Sequence, residues 1–404
     1  MKPDRKTGLK RLEAFLPHAG ADYGKRRNEV PGVVSGLSPY LRHRLLTEDE
    51  VVGKVLKRHS FGEAEKFIQE ICWRTYWKGW LEMRPWVWSQ YLDELQSIRS
   101  TMDGESDLKT RLLSAERGET GLECLDDWVT ELRETGYLHN HVRMWFASIW
   151  VHTLRLPWQL GADFFMRHLL DGDPASNTLS WRWVCGLQTK GKVYLASAEN
   201  IQRFTHGRYA PHGLLANEAP PVTEPFLLTP ALQPAITPAC ADIPIVGERT
   251  LLLVTEEDLT PESWGIPKSN LAGIALVDAN DSDIGTTALP KSFKRMALEN
   301  TAIRLEAGCQ CPVVTFHLGD ISLPEKAHAL FNECRASSIS VMSNPVGPLR
   351  ILIEPQLANL ERRGVFLRRL RRPWDHAFWP YATHGFFKLK EEIPSILRHL
   401  SLSS

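Results

Sequence analysis

Apolar residues recur at three- and four-residue spacing through the first half of the chain, in LKRLEAFL, EDEVVGKVLKR, GEAEKFIQEICWRTYWKGWLE, LECLDDWVTELRETG, HVRMWFASIWVHTL and ADFFMRHLL. That period puts the apolar side chains on one face of a helix, so residues 1–210 predict an all-helical domain with no alternating strand. Pro211, Pro220, Pro221, Pro225, Pro230, Pro234, Pro238 and Pro244 then crowd a stretch without period, which predicts an extended interdomain linker over 211–245. Beyond it TLLLVTEED, LAGIALVDA, CPVVTFHLG and SSISVMS are short β-branched runs, alternating with helical patterns such as SFKRMALENTAIRLEAG and PEKAHALFNECRA. Strand and helix in alternation predict a Rossmann-like parallel α/β domain over 246–404.

Composition narrows the function without naming it. Lys+Arg and Asp+Glu are both 48, so no global positive field draws the 404-residue chain to nucleic acid or anionic membrane, and any such binding needs a local patch. No apolar run suits a signal peptide or approaches the roughly 20 residues of a membrane span, which predicts a soluble, cytoplasmic protein that acts as a monomer. The seven cysteines lack the paired spacing of a zinc site, and no metal is expected. Neither GxGxxG nor GxxxxGK[ST] occurs, which argues against an ordinary dinucleotide or NTP site. Tryptophan stands out: 11 of the 14 lie between Trp73 and Trp183, enough to fill a large helical core or to line a site for a flat ligand.

The densest chemistry is in LDGDPASNTLSWRWVCG, residues 170–186. Asp171 and Asp173 open like a calcium loop, but Ala175, Ser176 and Arg182 stand where a ligand, the turn glycine and a bidentate glutamate belong. A helix from Asp173 instead puts Asp173, Asn177 and Trp181 on one face, a carboxylate, an amide and an indole together. An N-cap by Asp171 or Asp173, followed by core tryptophans, accounts for the same letters.

Context separates these readings. YLHNHVRM followed by LDGDPASNTLSWRW resembles the flavin domain of the photolyase and cryptochrome family. Further matching stretches, in the family's order, are Tyr23 with RRN, SGLSPYL, FIQEICWR, GETGLECLDDW, ASIWVHTLRLPWQLGADFF and VYLASAENIQRFT. The resemblance implies an all-helical domain holding FAD. It places Tyr23, Ser35, Leu37 and Ser38 at the phosphate and ribityl portion, where hydroxyls and N–H groups at a helix start suit a pyrophosphate. Ser35 or Ser38 capping the following helix is compatible with that role. Val34 replaces a threonine usual in the family and removes one hydroxyl. Arg74 and Arg143 would lie at the flavin edge, Asp173 would pair with such an arginine, Asp171 would meet the ribityl or adenine side, and Asn177 would face N5 and favour the reduced cofactor.

The same resemblance implies light-driven repair of DNA, a carbon–carbon lyase reaction on a flipped-out pyrimidine dimer. Glu70 and Asn140 match positions that hydrogen-bond a cyclobutane dimer, and Trp73 and Trp183 those that stack on it. Met144 stands where six-four photolyases carry histidine, which favours the cyclobutane type. Glu70, Asn177, Trp181 and Trp158 form the catalytic expectation, the two indoles as the inner members of an electron route. Its outer member should fall near residues 103–107, where MDGESDL has no aromatic ring; Trp86, Trp88 and Trp128 are substitutes. The α/β part resembles the family's antenna-type domain, normally placed first, so the chain reads as a circularly permuted homologue with any second antenna chromophore unassigned. Arg362, Arg363, Arg368, Arg369, Arg371 and Arg372 beside Trp374 could grip DNA phosphates, or form a salt-bridged surface. Damaged DNA is the expected partner and a signalling photoreceptor the alternative. A scaffold that has lost its flavin is the third.

Overall fold

The computed structural model of the protein describes residues 1–102, 106–188, 192–219, 222, 247–279, 285–318 and 323–403. The chain divides into two compact units, and the division ignores the sequence order: one unit takes Met1–Pro17, Ser35–Met83 and Pro234–Ser404, the other His18–Val34 and Arg84–Gln233. This differs from a single boundary near residue 210. Of the proline-rich linker, 220, 221 and 223–245 lie outside the described residues.

In the first unit five parallel strands, β1 (Thr250–Thr255), β2 (Leu271–Asp278), β3 (Val313–His317), β4 (Ser338–Met342) and β5 (Leu367–Leu370), run in the order β3-β2-β1-β4-β5. This is the doubly wound arrangement, reversing direction between β1 and β4. β1 is buried along its whole length, which explains its unbroken apolar run. Leu251, Leu253, Ala275, Val277, Ile339 and Val341 meet Ala327, Leu330, Ile353 and Leu357 of the Leu323–Glu333 and Pro348–Arg362 helices. β5, read in the sequence as part of a charge run, is the strand the pattern missed. LRRL is four residues long, with only Leu367 and Leu370 buried.

Charge explains why residues 35–83 fold with this sheet. The turn after β1 carries Glu256, Glu257 and Asp258, all buried. Arg372 donates to both oxygens of Asp258 at 2.6 Å, and Arg42 meets Glu257 at 2.8 Å. Arg44 donates to both oxygens of Asp375 at 2.7 Å and to Glu48 at 3.2 Å. Arg44 adopts a left-handed backbone, φ 45°, and its carbonyl accepts from Thr260 Oγ1. Charges this deep are tolerated only because each has partners. The Phe61–Glu82 helix, started by a Ser60–Glu63 capping box, supplies Thr75 to the Trp374 indole N–H at 2.8 Å and Glu82 to the Val346 N–H at 2.7 Å. A Cβ on Gly79 would come within 2.8 Å of the Trp379 ring, so glycine lets these two pieces touch.

The second unit is helical throughout its described residues. It contains Pro85–Met102, Ser106–Arg117, Glu123–Thr135, Asn140–Ser148 running into a π-helical turn at Ile149–Thr153, Trp158–His168, Pro174–Val184 and Ala198–Phe204. The helical periods of the sequence map onto these spans.

Candidate functional site

LDGDPASNTLSWRWVCG forms a short entry and the Pro174–Val184 helix of the second unit. Asp173 is its N-cap, accepting from the Ser176 N–H at 2.8 Å, and Pro174 fills the first turn. Asn177 is buried, and its Nδ2 donates to the Ala162 carbonyl at 2.8 Å. That bond orients the amide and leaves Oδ1 as its acceptor. Trp181, 2 % exposed, presses its indole onto Gly161, where a Cβ would stand 2.3 Å from the ring. Only glycine fits there.

Asp171, sent by the sequence toward the cofactor, is the carboxylate paired with Arg143: Nη2 to Oδ2 is 2.8 Å, and Arg143 Nε also donates to the Leu138 carbonyl at 2.9 Å. Burial pulls the guanidinium's pKa down, but the charge and hydrogen bond of Asp171 outweigh it, and the pKa is raised. Asp171 Oδ1 faces no protein partner among the described residues, and neither do Ser176 Oγ, Thr178 Oγ1 and Trp181 Nε1, all buried. Buried polar atoms without partners cost about 1–3 kcal/mol each, so this cluster of an acceptor, two hydroxyls and a donor suits a polar ligand.

The other residues divide between the units. Tyr23, buried, belongs to the second unit with Arg143, Asp171, Asp173 and Asn177. Ser35, Leu37, Ser38 and Arg74 belong to the first. Ser35 Oγ accepts from the Leu37 N–H at 3.3 Å in a turn before the Ser38–Arg42 helix; the N-cap of that helix is Leu37, with no side-chain capping bond, so neither Ser35 nor Ser38 caps it. Arg74 donates to Glu48 at 2.8 Å and to the Arg42 carbonyl at 3.2 Å, which makes it a member of the buried charge network.

The lesion set splits likewise, with Glu70 and Trp73 in the first unit and Asn140, Met144 and Trp183 in the second. Asn140 is exposed at the start of its helix, one turn before half-buried Met144. Trp183 stacks on Tyr194 with ring centroids 5.6 Å apart. Trp73 departs from expectation. Phe386, at the start of the Phe386–His399 helix, lies 3.7 Å from it at 13°, so one face of the ring is already covered. Glu65–Lys390 at 3.3 Å and the Tyr76 hydroxyl donating to the His384 carbonyl at 2.7 Å hold that helix on.

Of the two readings of the arginine cluster, the ion pairs favour the salt-bridged surface. Arg363 pairs with Glu325, Arg368 with Glu248 at 2.5 Å, Arg369 with Glu361 at 2.6 Å and Arg372 with Asp258; Arg371 lies over the Trp379 ring and Trp374 is buried. The acids that neutralise them are mostly distant in sequence, so the run looked more basic than its surface is. No group of residues fit to hold a metal, and no helix long and apolar enough to cross a membrane, occurs among the described residues.

Residues 67–207 match the family described as the FAD binding domain of DNA photolyase. A deoxyribodipyrimidine photo-lyase of Streptomyces griseus is 32 % identical over 185 residues, covering 45 % of this chain and 39 % of the relative. One from Thermus thermophilus is 30 % identical over 194 residues, 48 % of this chain and 45 % of the relative. A crystal structure of a class III photolyase from Agrobacterium tumefaciens is similar over 50 % of this chain and 42 % of its own, with 28 % identity and a TM-score of 0.42. The chain spans less than half the length of the curated relatives it matches. The matched region is thus a flavin-binding helical domain of photolyase type, with FAD as its cofactor. Over these residues the chain is similar to the photolyases.

Proposed function

We propose that the chain is a blue-light-driven DNA photolyase that repairs cyclobutane pyrimidine dimers with reduced FAD. The observation that carries the reading is the entry to the Pro174–Val184 helix, where buried Asp171 Oδ1 and Ser176 Oγ lack protein partners beside an Asn177 amide held in one orientation. Tyr23, Arg143, Asp171, Asp173 and Asn177 hold the cofactor in this reading. The names of the curated relatives support repair. Photoexcited reduced FAD supplies the dimer with an electron and takes it back after the ring opens. The protein's part is to hold Arg143 charged with Asp171 and to present the Asn177 oxygen. Asn140 and the Trp183 indole would meet an unstacked lesion, a role that the resemblance also gives to Glu70 and Trp73. A cytoplasmic monomer, and an α/β part that is the family's antenna-type domain moved behind the flavin domain, belong to the same reading.

The test is direct. Purified protein should show bound flavin absorption, and the reduced protein under blue light should restore intact pyrimidines in dimer-containing DNA. Glu70→Ala should lower repair and keep the flavin; loss of the flavin would remove the lesion role given to Glu70. The second reading, a signalling photoreceptor, is favoured by Phe386 covering one face of Trp73 and by the neutralised arginine cluster. Flavin binding without any repair selects it.

A further inference from the structure

The cysteines of the described residues sort by depth. Cys72, Cys124 and Cys185 are buried, while Cys309, Cys311 and Cys334 are each half-buried. The half-buried thiols gather at one place in the first unit, the edge of the sheet where β3 begins. Cys309 is the C-cap of the Ala288–Gly308 helix, with an extended backbone, and its N–H donates to the Leu305 carbonyl at 2.8 Å. The chain bends at exposed Gln310, and Cys311 follows just before β3. Cys334 comes from the end of the Leu323–Glu333 helix. A Cβ added to Gly273 of β2 would stand 3.1 Å from its Sγ and 3.6 Å from the Pro312 carbonyl oxygen, so Cys334 and the residue after Cys311 flank one point.

In an extended chain, residues two apart point to the same side with Cα atoms about 7 Å from each other. The bend at Gln310 shortens that span toward the roughly 4.4–6.8 Å that a disulfide bridges. We propose that Cys309 and Cys311 form a reversible dithiol site oxidised by hydrogen peroxide, with Cys309 attacked first and Cys311 resolving it. This goes beyond the flavin reading, which uses no cysteine. The Cys309 sulfur attacks peroxide and the O–O bond breaks; one hydroxyl stays on sulfur as a sulfenic acid, and the other leaves as water with the thiol proton. Cys311 then attacks the sulfenic sulfur, the S–S bond forms, and the displaced hydroxide takes the Cys311 proton as a second water. Peroxide gains the two electrons that the thiols lose, and an external dithiol reverses the bond by exchange.

The surroundings assign the order. Burial, then the Cys309 and Cys334 thiols, push the Cys311 pKa up to about 11 against the pull of Arg249, so Cys311 keeps its proton until a sulfenic acid stands beside it. Burial and the charge of Glu333 raise the Cys334 pKa as well, and its sulfur packs against Gly273 of β2 instead of entering the turn. The turn itself is held in place, because the Ile274 N–H donates to the Pro312 carbonyl at 2.9 Å. Closure is therefore local to CQC and leaves the sheet where it is.

Peptide mapping tests this on the purified full chain, reduced, freed of reductant and exposed to a small excess of hydrogen peroxide without denaturant. After free thiols are blocked with iodoacetamide, trypsin releases residues 305–326 with Cys309 and Cys311, and 327–335 with Cys334. The 305–326 peptide should be unblocked and lighter by a pair of hydrogens, and dithiothreitol should restore it. Cys311→Ser should strand Cys309 as a sulfenic acid and raise its dimedone label about tenfold over the parent. A melting curve matched to the parent shows that the variant folds. A 305–326 peptide that keeps both thiols overturns the site, and so does one found joined to 327–335. A folded Cys311→Ser variant labelled no more than the parent overturns it too. Flavin content and repair are read separately, so the flavin reading stands or falls on its own.

Discussion

The two units treat buried polarity in opposite ways. In the first, Arg44, Arg372, Glu48, Asp258 and Asp375 answer one another with full charges. In the second, the segment from Asp171 to Trp181 keeps one ion pair and leaves an oxygen, two hydroxyls and an indole N–H unanswered among the described residues. A closed network makes one rigid arrangement. Open valences at one helix terminus make a place for something else. The contrast is between these two segments, since buried polar atoms without partners occur in both units, and it can be attacked from either side.

The largest effect should come from Arg44→Ala, which strands Asp375 in the interior and leaves Glu48 to Arg74, and should cost about 3–5 kcal/mol in urea unfolding. If the variant unfolds like the parent, the network is not what closes the first unit. Asp171→Ala leaves Arg143 without its carboxylate; since Arg143 is 23 % exposed, a smaller loss of about 1–2 kcal/mol is expected, together with a lower flavin-to-protein absorbance ratio. Unchanged flavin content would empty the second half of the comparison.

A third prediction concerns pH. Burial, then the charge of Arg42, push the His43 pKa down to about 3, against the pull of the Glu256 carbonyl that its ring meets at 2.9 Å. Lys294 lowers it further and Glu257 opposes. The unfolded chain binds this proton at about 6.5 and the folded chain does not, so stability falls as pH drops below about 6.5 and continues to fall toward 3. Glu48 and Asp258, which despite burial are held low by their arginine partners, add their loss only below the ordinary carboxylate range. Melting temperature against pH should therefore begin to drop near 6.5, and His43→Gln should make that early drop shallower without removing it, because burial also lowers the pKa of His139, His141, His152 and His168. The smallest effect is expected of Phe386→Leu, which keeps an apolar side chain but removes the stack on Trp73, about 0.5–1.5 kcal/mol beyond area burial, visible as a change in tryptophan fluorescence.

The helices and four of five strands were legible because their periods are local. Asp173 as a cap and the Asn177–Trp181 face were legible for the same reason. The partition into units was not: Arg44 and Asp375 are 331 positions apart, and nothing in SGLSPYLRHRLL says that its arginines belong to a turn after β1. The stack of Phe386 on Trp73 was not legible, because the two are far apart in the chain. The sequence could not choose between the two readings of the arginine cluster, since most of its neutralising acids are long-range.

The charge network also sets a timetable. A ribosome adds about 5–20 residues per second, so Arg44 leaves it roughly 15–65 s before Asp375 exists, the two being 331 positions apart. Through that interval the Ser38–Arg42 and Glu48–Leu56 segments carry charges with no place to be buried, while the whole Arg84–Thr205 stretch emerges and can settle. The last unit to close therefore contains residues made long before the partners that neutralise them.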